Sequence, residues 1–149
     1  VENGVIAAAL EKIPKSVRTG VPTLPELQSL FDEVHSVGRQ AAHVPTGRSG
    51  LEGQIAGMIF AKMTVTPSPD SAPPVGDDGN MADYTLASAR RHVQLGNLEE
   101  AVRELDKLKG QTAFTMGDWK KTAMDRIAVE KALKVIKMEC ALMNKNMAG

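Results

Sequence analysis

Residues 96–110 read Gly96-Asn97-Leu98-Glu99-Glu100-Ala101-Val102-Arg103-Glu104-Leu105-Asp106-Lys107-Leu108-Lys109-Gly110. Leu98, Ala101, Val102, Leu105 and Leu108 recur at three- and four-residue spacings, which puts them on one side of an α-helix. Asn97 stands where an N-cap belongs, Glu100 is the third residue after it, and Gly110 is placed to close the helix. Upstream, residues 82–95 carry Leu86, Ala89 and Val93 on one helical face. Gly96 then falls at the C′ position, which favours a left-handed backbone. Two helices meeting at Gly96-Asn97 make an antiparallel hairpin whose inner face the rest of the chain must cover.

Downstream, the pattern predicts a helix over about 118–145, roughly 40 Å long at 1.5 Å per residue. Trp119, Ala123 and Ile127 begin one stripe, continued by Val129, Leu133, Ile136, Cys140 and Met143. A second stripe holds Ala128, Ala132, Val135, Met138 and Leu142. Two apolar sides on one helix imply that one of them meets another chain. Upstream, Thr23 with Glu26 forms a capping box, and Pro25 is tolerated in the first turn of a helix reaching about Ala42. Its apolar side holds Leu27, Leu30, Phe31, Val34 and Ala41. Residues 2–13 form a short amphipathic helix with Val5, Ile6, Ala9, Leu10 and Ile13 on one face. Pro14 opens a brief helical turn that Gly20 ends. Ser49 with Glu52 starts a largely apolar helix to about Met63. Residues 66–80 hold Pro67, Pro69, Pro73 and Pro74 with Asp70, Asp77 and Asp78, and read as a flexible acidic loop.

Composition agrees with this all-α reading of a small bundle of about five helices with a long C-terminal helix. The 149 residues suit one compact domain, and aromatic residues make up only 3% (Phe31, Phe60, Tyr84, Phe114 and Trp119). Ala, Leu, Val, Ile and Met must therefore fill the core, which favours packed helices over a sandwich or barrel. No run alternates as a strand would. With 18 Lys and Arg against 18 Asp and Glu, the formal charge is zero. This argues against a nucleic-acid partner, whose binding rests on a basic surface. No stretch approaches the roughly 20 apolar residues of a membrane span. The chain begins at Val1 rather than Met, which suggests a piece of a longer protein.

Chemistry-bearing motifs are few. Gly47-Arg48-Ser49-Gly50 lacks the second glycine of a nucleophile elbow, and the glycines at 47, 50 and 53 precede no Gly-Lys-Ser/Thr, so they read as helix punctuation. His35, His43 and His92 have no metal-ligand spacing, and Cys140, on an apolar stripe, reads as a buried inert thiol. Neither an enzyme, a cofactor nor a metal site is expected. Gly53-Gln54-Ile55-Ala56-Gly57 reads as close helix packing, and Trp119 as a core anchor whose indole N–H finds a partner nearby. The short basic clusters Arg90-Arg91-His92 and Lys120-Lys121 read as solvated faces.

Two resemblances follow. Gly96 to Ala101 looks like the turn of a tetratricopeptide repeat, but the chain has no recurrence at that repeat's period of about 34 residues. A tetratricopeptide-like adaptor binding a peptide or protein is the alternative reading. Ala9-Leu10-Glu11-Lys12-Ile13-Pro14 with Gly20-Val21-Pro22-Thr23-Leu24-Pro25-Glu26-Leu27 and Phe31 resembles the opening of the mitofilin C-terminal domain. Gly96-Asn97-Leu98, Ala101 to Gly110, Asp118-Trp119 and the helix from Arg126 through Glu139 follow in that family's order. The 66–80 loop looks longer than usual for the family, and Gln111 to Gly117 differ from the residues usual before Asp-Trp.

The resemblance implies a scaffold rather than a catalyst, within a MICOS-type complex at crista junctions. It places the domain in the intermembrane space of mitochondria, anchored by an upstream inner-membrane helix, with bacterial relatives that shape intracytoplasmic membranes. Residues 1–19 would end an upstream lipid-binding helical segment, and 20–149 would form the domain proper. The implied partners are a CHCH-domain subunit, a second copy of the chain in a homodimer or larger homo-oligomer, and a peripheral phospholipid contact. The family's partner motif maps to Leu27, Leu30 and Phe31, with Leu30 in place of the basic residue that some members carry. Self-association is expected at Val5, Ile6, Leu10, Ile13, Val135, Met138 and Leu142, and lipid contact at Val5, Ile6, Leu10 and Ile13.

Overall fold

The structure is a computed structural model that describes residues 4–44, 61, 67–74 and 78–149. Every regular element among them is helical: α1 (Gly4–Glu11), a 3₁₀ turn (Lys15–Thr19), α2 (Leu24–Ala42), α3 (Asp78–Gln94), α4 (Leu98–Leu105) and α5 (Gly110–Ala148). The all-α, small-bundle expectation is met. Of the helix expected at 49–63, only Ala61 is among the described residues, helical and buried. The Gly53–Gly57 motif lies outside them. The chain divides into two compact units, one of Val1–Pro22 with Thr122–Gly149 and one of Thr23–Lys121.

The larger unit grows from its caps. The Glu26 amide donates to Thr23 Oγ1 at 3.4 Å while the Thr23 amide donates to Glu26 Oε2 at 2.6 Å, so the capping box closes reciprocally. At the end of α3, the Gly96 amide donates to the Val93 carbonyl and the Asn97 amide to the His92 carbonyl. This paired 5→2 and 6→1 pattern, with Gly96 at φ +78, is a Schellman ending. A Cβ on Gly96 would lie 3.2 Å from Leu24 Cδ2, so both backbone and space call for glycine. Asn97 is the residue before α4 but makes no side-chain cap bond.

α2 and α3 run antiparallel, as three rungs show. The Gln28 amide nitrogen donates to the Val93 and Gln94 carbonyls, Arg90 pairs with Asp32, and Arg39 and His43 reach Asp83. Gln28 thereby gives the Gln94 carbonyl a donor at the end of α3 and adds a second one to the Val93 carbonyl, which the Gly96 amide already reaches. The core between α2, α3, α4 and the start of α5 is filled by Leu27, Phe31, Leu86, Ala89, Val93, Ala101, Leu105, Met116 and Trp119, all at most 4% exposed. The inward row of α2 is Leu27, Phe31, His35 and Gly38; Leu30, expected on that side, is 41% exposed. Gly38 belongs to the row because a Cβ there would sit 3.0 Å from Met116 Sδ.

Three expected boundaries move. α4 ends at Leu105, and Gly110, at φ +59, opens α5 instead of closing α4. α5 therefore starts eight residues before Asp118 and continues to Ala148, about 58 Å for its 39 residues. The reason is a stripe of Thr112, Met116, Trp119 and Ala123, all buried, that extends the Trp119 face upstream through Gly117. α3 begins at Asp78, inside the expected loop. Within the loop, residues 67–74 are irregular, with the Tyr84 hydroxyl donating to the Pro69 carbonyl and Arg91 paired with Asp70.

In the smaller unit, α1 buries Ala9, and the 3₁₀ turn ends at Gly20, φ +105. Ser16 donates to Asp125, and Arg126 donates to the Pro22 carbonyl at 2.8 Å, so the chain after α1 is tied to α5. Beyond Ala132 no residue of α5 is buried.

Candidate interaction site

The sequence-predicted partner residues divide at α2. Leu27 and Phe31 are fully buried, whereas Leu30 faces outward with Val37, which is 50% exposed. Phe31 meets the Trp119 ring edge-on at 4.8 Å, and the Trp119 indole N–H donates to the Leu27 carbonyl at 2.9 Å. The expected partner for that N–H is thus a helix carbonyl, whose second lone pair is open to it. Leu27 and Phe31 set where this part of α2 lies, and Leu30 is the member of the trio that solvent reaches.

Beside this face lies a polar cluster that pattern reading missed. Asp83, 2% exposed, accepts from Arg39 Nε and Nη2, each at 3.1 Å, and lies 2.8 Å from His43 Nε2. The two-pronged Arg39 contact fixes the carboxylate plane and joins the last turns of α2 to the first turns of α3. The available signal was an acid three residues before Leu86 and six before Ala89, an inward position on α3.

His35 lies one turn away from Phe31, ring centroids 5.9 Å apart, and its Nε2 is buried without a hydrogen-bond partner. Burial, then the positive charges of Arg90 and Arg39, lower its pKa from 6.5 to about 4 against the opposing pull of Asp32 and Asp83. The unfolded chain therefore binds a proton that the folded chain refuses between those values. The stability this ring contributes is complete above pH 6.5 and is lost as pH falls towards 4. Urea midpoints followed from pH 7 to pH 4.5 should record a loss of about 2 kcal/mol attributable to this group. His35→Leu should flatten that slope; an unchanged slope would refute the assignment.

The predicted self-association residues all belong to the smaller unit. Val5 (48%) and Leu10 (53%) are exposed on α1, with Ile6 and Ile13 half-buried. Val135, Met138 and Leu142 are exposed on α5, and so are Leu133, Met143 and Met147. Val129, Leu133, Ile136, Cys140, Met143 and Met147 repeat at spacings of four, three, four, three and four, the period of a helix-pairing seam. Cys140 is exposed on this seam, not buried as expected, because no described residue of the unit covers it. Among the described residues no helix is long and apolar enough to cross a membrane.

A family model described as "Mitochondrial inner membrane protein", Mitofilin, matches residues 1–141. The chain belongs to the Mitofilin family. The mitofilin segment is similar to the MICOS complex subunit MIC60 of Paracoccidioides brasiliensis strain Pb03, at 30% identity over 93% of this chain and 19% of that protein. The MIC60 subunits of Ajellomyces capsulatus strain NAm1 / WU24 and Talaromyces stipitatus are 28% and 26% identical, over 93% and 95% of this chain and 20% and 21% of theirs. The chain thus spans about a fifth of the length of these relatives. No solved structure matches it. Within the mitofilin segment the α3–α4 hairpin has α2 packed onto it, so the inner face that a tetratricopeptide-like adaptor would offer to a peptide is occupied.

Proposed function

We propose that this chain is a non-enzymatic scaffold module of a MICOS-type complex at the mitochondrial inner membrane, facing the intermembrane space. It joins chains through helix pairing and through a CHCH-domain subunit, and so helps to hold crista junctions in shape. The observation that carries the reading is the 4-3-4-3-4 seam from Val129 to Met147 on α5, an apolar row in which Leu133, Cys140, Met143 and Met147 are exposed and Val129 and Ile136 half-buried. Pairing two such seams removes these side chains from water, at about 25 cal/mol per Å² of apolar surface. Val5, Ile6 and Leu10 of α1, with Ile13 just after it, extend the apolar surface available to a second copy. The CHCH subunit is assigned to the α2 surface around Leu30, with Leu27 and Phe31 holding that surface from beneath.

One set of variants tests both contacts. In size-exclusion chromatography with light scattering, the unaltered chain should exceed the monomer mass at high micromolar concentration, and Met143→Asp/Met147→Asp should return it to a monomer. Leu30→Asp should keep the urea midpoint and lose capture of the CHCH subunit. A chain that is monomeric throughout, or undiminished capture by Leu30→Asp, would refute the corresponding contact.

A further inference from the structure

The seam of α5 is not chemically uniform along its length. Its first half, Val129, Leu133 and Ile136, is hydrocarbon, and its second half, Cys140, Met143 and Met147, carries sulfur. Met143 is 42% and Met147 84% exposed, and Cys140 is exposed beside them. Met147 is the most exposed large apolar side chain among the described residues. Five of the eight methionines lie on α5: Met116, Met124, Met138, Met143 and Met147. Met116 is 1% exposed in the core of the larger unit, whereas Met124 and Met138 are exposed away from the seam.

Contact through the second half of the seam depends on these sulfurs staying apolar. A methionine thioether packs against an irregular apolar neighbour, whereas its sulfoxide is polar and chiral and disrupts such packing. The conversion needs only a hydroperoxide and an accessible sulfur. The thioether sulfur attacks one peroxide oxygen, and the O–O bond breaks as the S–O bond forms. Sulfur gives up two electrons, and with hydrogen peroxide the departing hydroxide takes the remaining proton and leaves as water. Exposure decides which methionines react, so Met143 and Met147 are open to an aqueous oxidant and Met116 is not.

We propose that Met143 and Met147 form a modification site at which a hydroperoxide, by converting both thioethers to sulfoxides, separates paired seams. The inference rests on the scaffold reading, because it takes the seam as the contact between copies. Pairing and oxidation then oppose each other. A paired seam covers both sulfurs and protects them. An oxidised seam must bury two S–O groups from each chain, which costs free energy wherever they find no donor. Linkage makes the two effects reciprocal. Val129, Leu133 and Ile136 are inert to the same oxidant, which confines the response to the end of the helix. Sulfoxides are reduced again by methionine sulfoxide reductases, one for each sulfur epimer, so the site can be reset. Cys140 is not needed for the effect: dithiothreitol restores a disulfide or sulfenic acid there, and leaves a methionine sulfoxide as it is.

The test treats the 149-residue chain with dilute hydrogen peroxide and then dithiothreitol, and follows its mass by light scattering over a concentration series. Peptide mass spectrometry should find an added oxygen on Met143 and on Met147 and none on Met116. The dissociation constant for pairing should rise by roughly tenfold or more, and methionine sulfoxide reductases A and B should restore it. During the peroxide treatment, oxidation of Met143 and Met147 should slow as the chain concentration passes through the pairing range, while that of Met124 should not. Met81→Leu/Met124→Leu, which removes exposed sulfurs outside the seam, should respond to peroxide as the unaltered chain does. Met143→Leu/Met147→Leu, compared with itself before treatment, should not respond. A chain that pairs and keeps its dissociation constant after both methionines are oxidised would overturn the inference alone. A response that survives in Met143→Leu/Met147→Leu would do the same, and so would a loss of helix by circular dichroism on oxidation, since separation would then follow from unfolding. An untreated chain that is monomeric at every concentration overturns the scaffold reading and this inference with it.

Discussion

Phe31→Ala should destabilise the chain by about 3–5 kcal/mol, the range for an aromatic side chain removed from a packed core. Phe31 is fully buried, its ring lies against Trp119 at 4.8 Å and His35 at 5.9 Å, and Leu27 one turn earlier is equally buried. Truncation removes the transfer energy of the ring, leaves a cavity, and breaks an edge-to-face contact that adds about 0.5–1.5 kcal/mol beyond area. The Trp119 N–H bond to the Leu27 carbonyl survives in principle, but the indole loses the wall that holds it there. Against a typical domain stability of 5–15 kcal/mol, such a loss is large. Trp119 is the only tryptophan, so its fluorescence in a urea titration reads the change at the site itself. A shift below about 1 kcal/mol would mean that α2 and α5 do not pack through this pair. The consequence for binding studies is direct: lost partner capture by Phe31→Ala would report unfolding of the surface, which makes Leu30→Asp the informative substitution.

The contrast between Leu30 and Phe31 marks where sequence reading stops. Capping and turn chemistry are local, so Thr23 with Glu26 and the glycine at 96 place the start of α2 and the end of α3 correctly. Leu86, Ala89 and Val93 face inward as their period requires. Direction within a broad apolar stripe is not local. Leu27, Leu30, Phe31 and Val34 span more of the helix than one neighbour covers, and the row that wins includes His35 and Gly38, neither of which carries an apolar signal. Gly38 enters because it lacks a side chain where Met116 arrives, a fact about another helix. The same limit explains residues 111–117. Two threonines and a glycine lower helix propensity, but Thr112 and Met116 complete the face of Trp119 and tertiary packing overrides the penalty. Cys140 was misjudged for the converse reason: an apolar stripe shows that a residue can be covered, not that its own unit covers it.

Asp83→Ala should be comparably severe, at about 3–5 kcal/mol, although it removes only a small side chain. Asp83 is 2% exposed, and the side chains that face it, Arg39 at 14% and His43 at 10%, have little water of their own. With the carboxylate gone, the nearly buried guanidinium loses both prongs of its 3.1 Å contact and the negative charge that faces it from α3. The exposed Arg90–Asp32 pair on the same two helices serves as the internal control. Its side chains are 41% and 51% exposed, and an exposed pair of that kind contributes at most about 1 kcal/mol. Asp32→Ala should therefore change the urea midpoint only slightly and in a salt-dependent manner, whereas the Asp83→Ala loss should persist at high salt. Arg39→Met in the Asp83→Ala background should recover part of the loss, because it removes the charge that Asp83 faced and keeps an apolar stem between α2 and α3. If Asp83→Ala costs no more than Asp32→Ala, the cluster is solvated and does not lock the two helices. If it costs several times more and Arg39→Met relieves it, the surface that presents Leu30 depends on a charge clamp at one end of α2 and an aromatic clamp at the other.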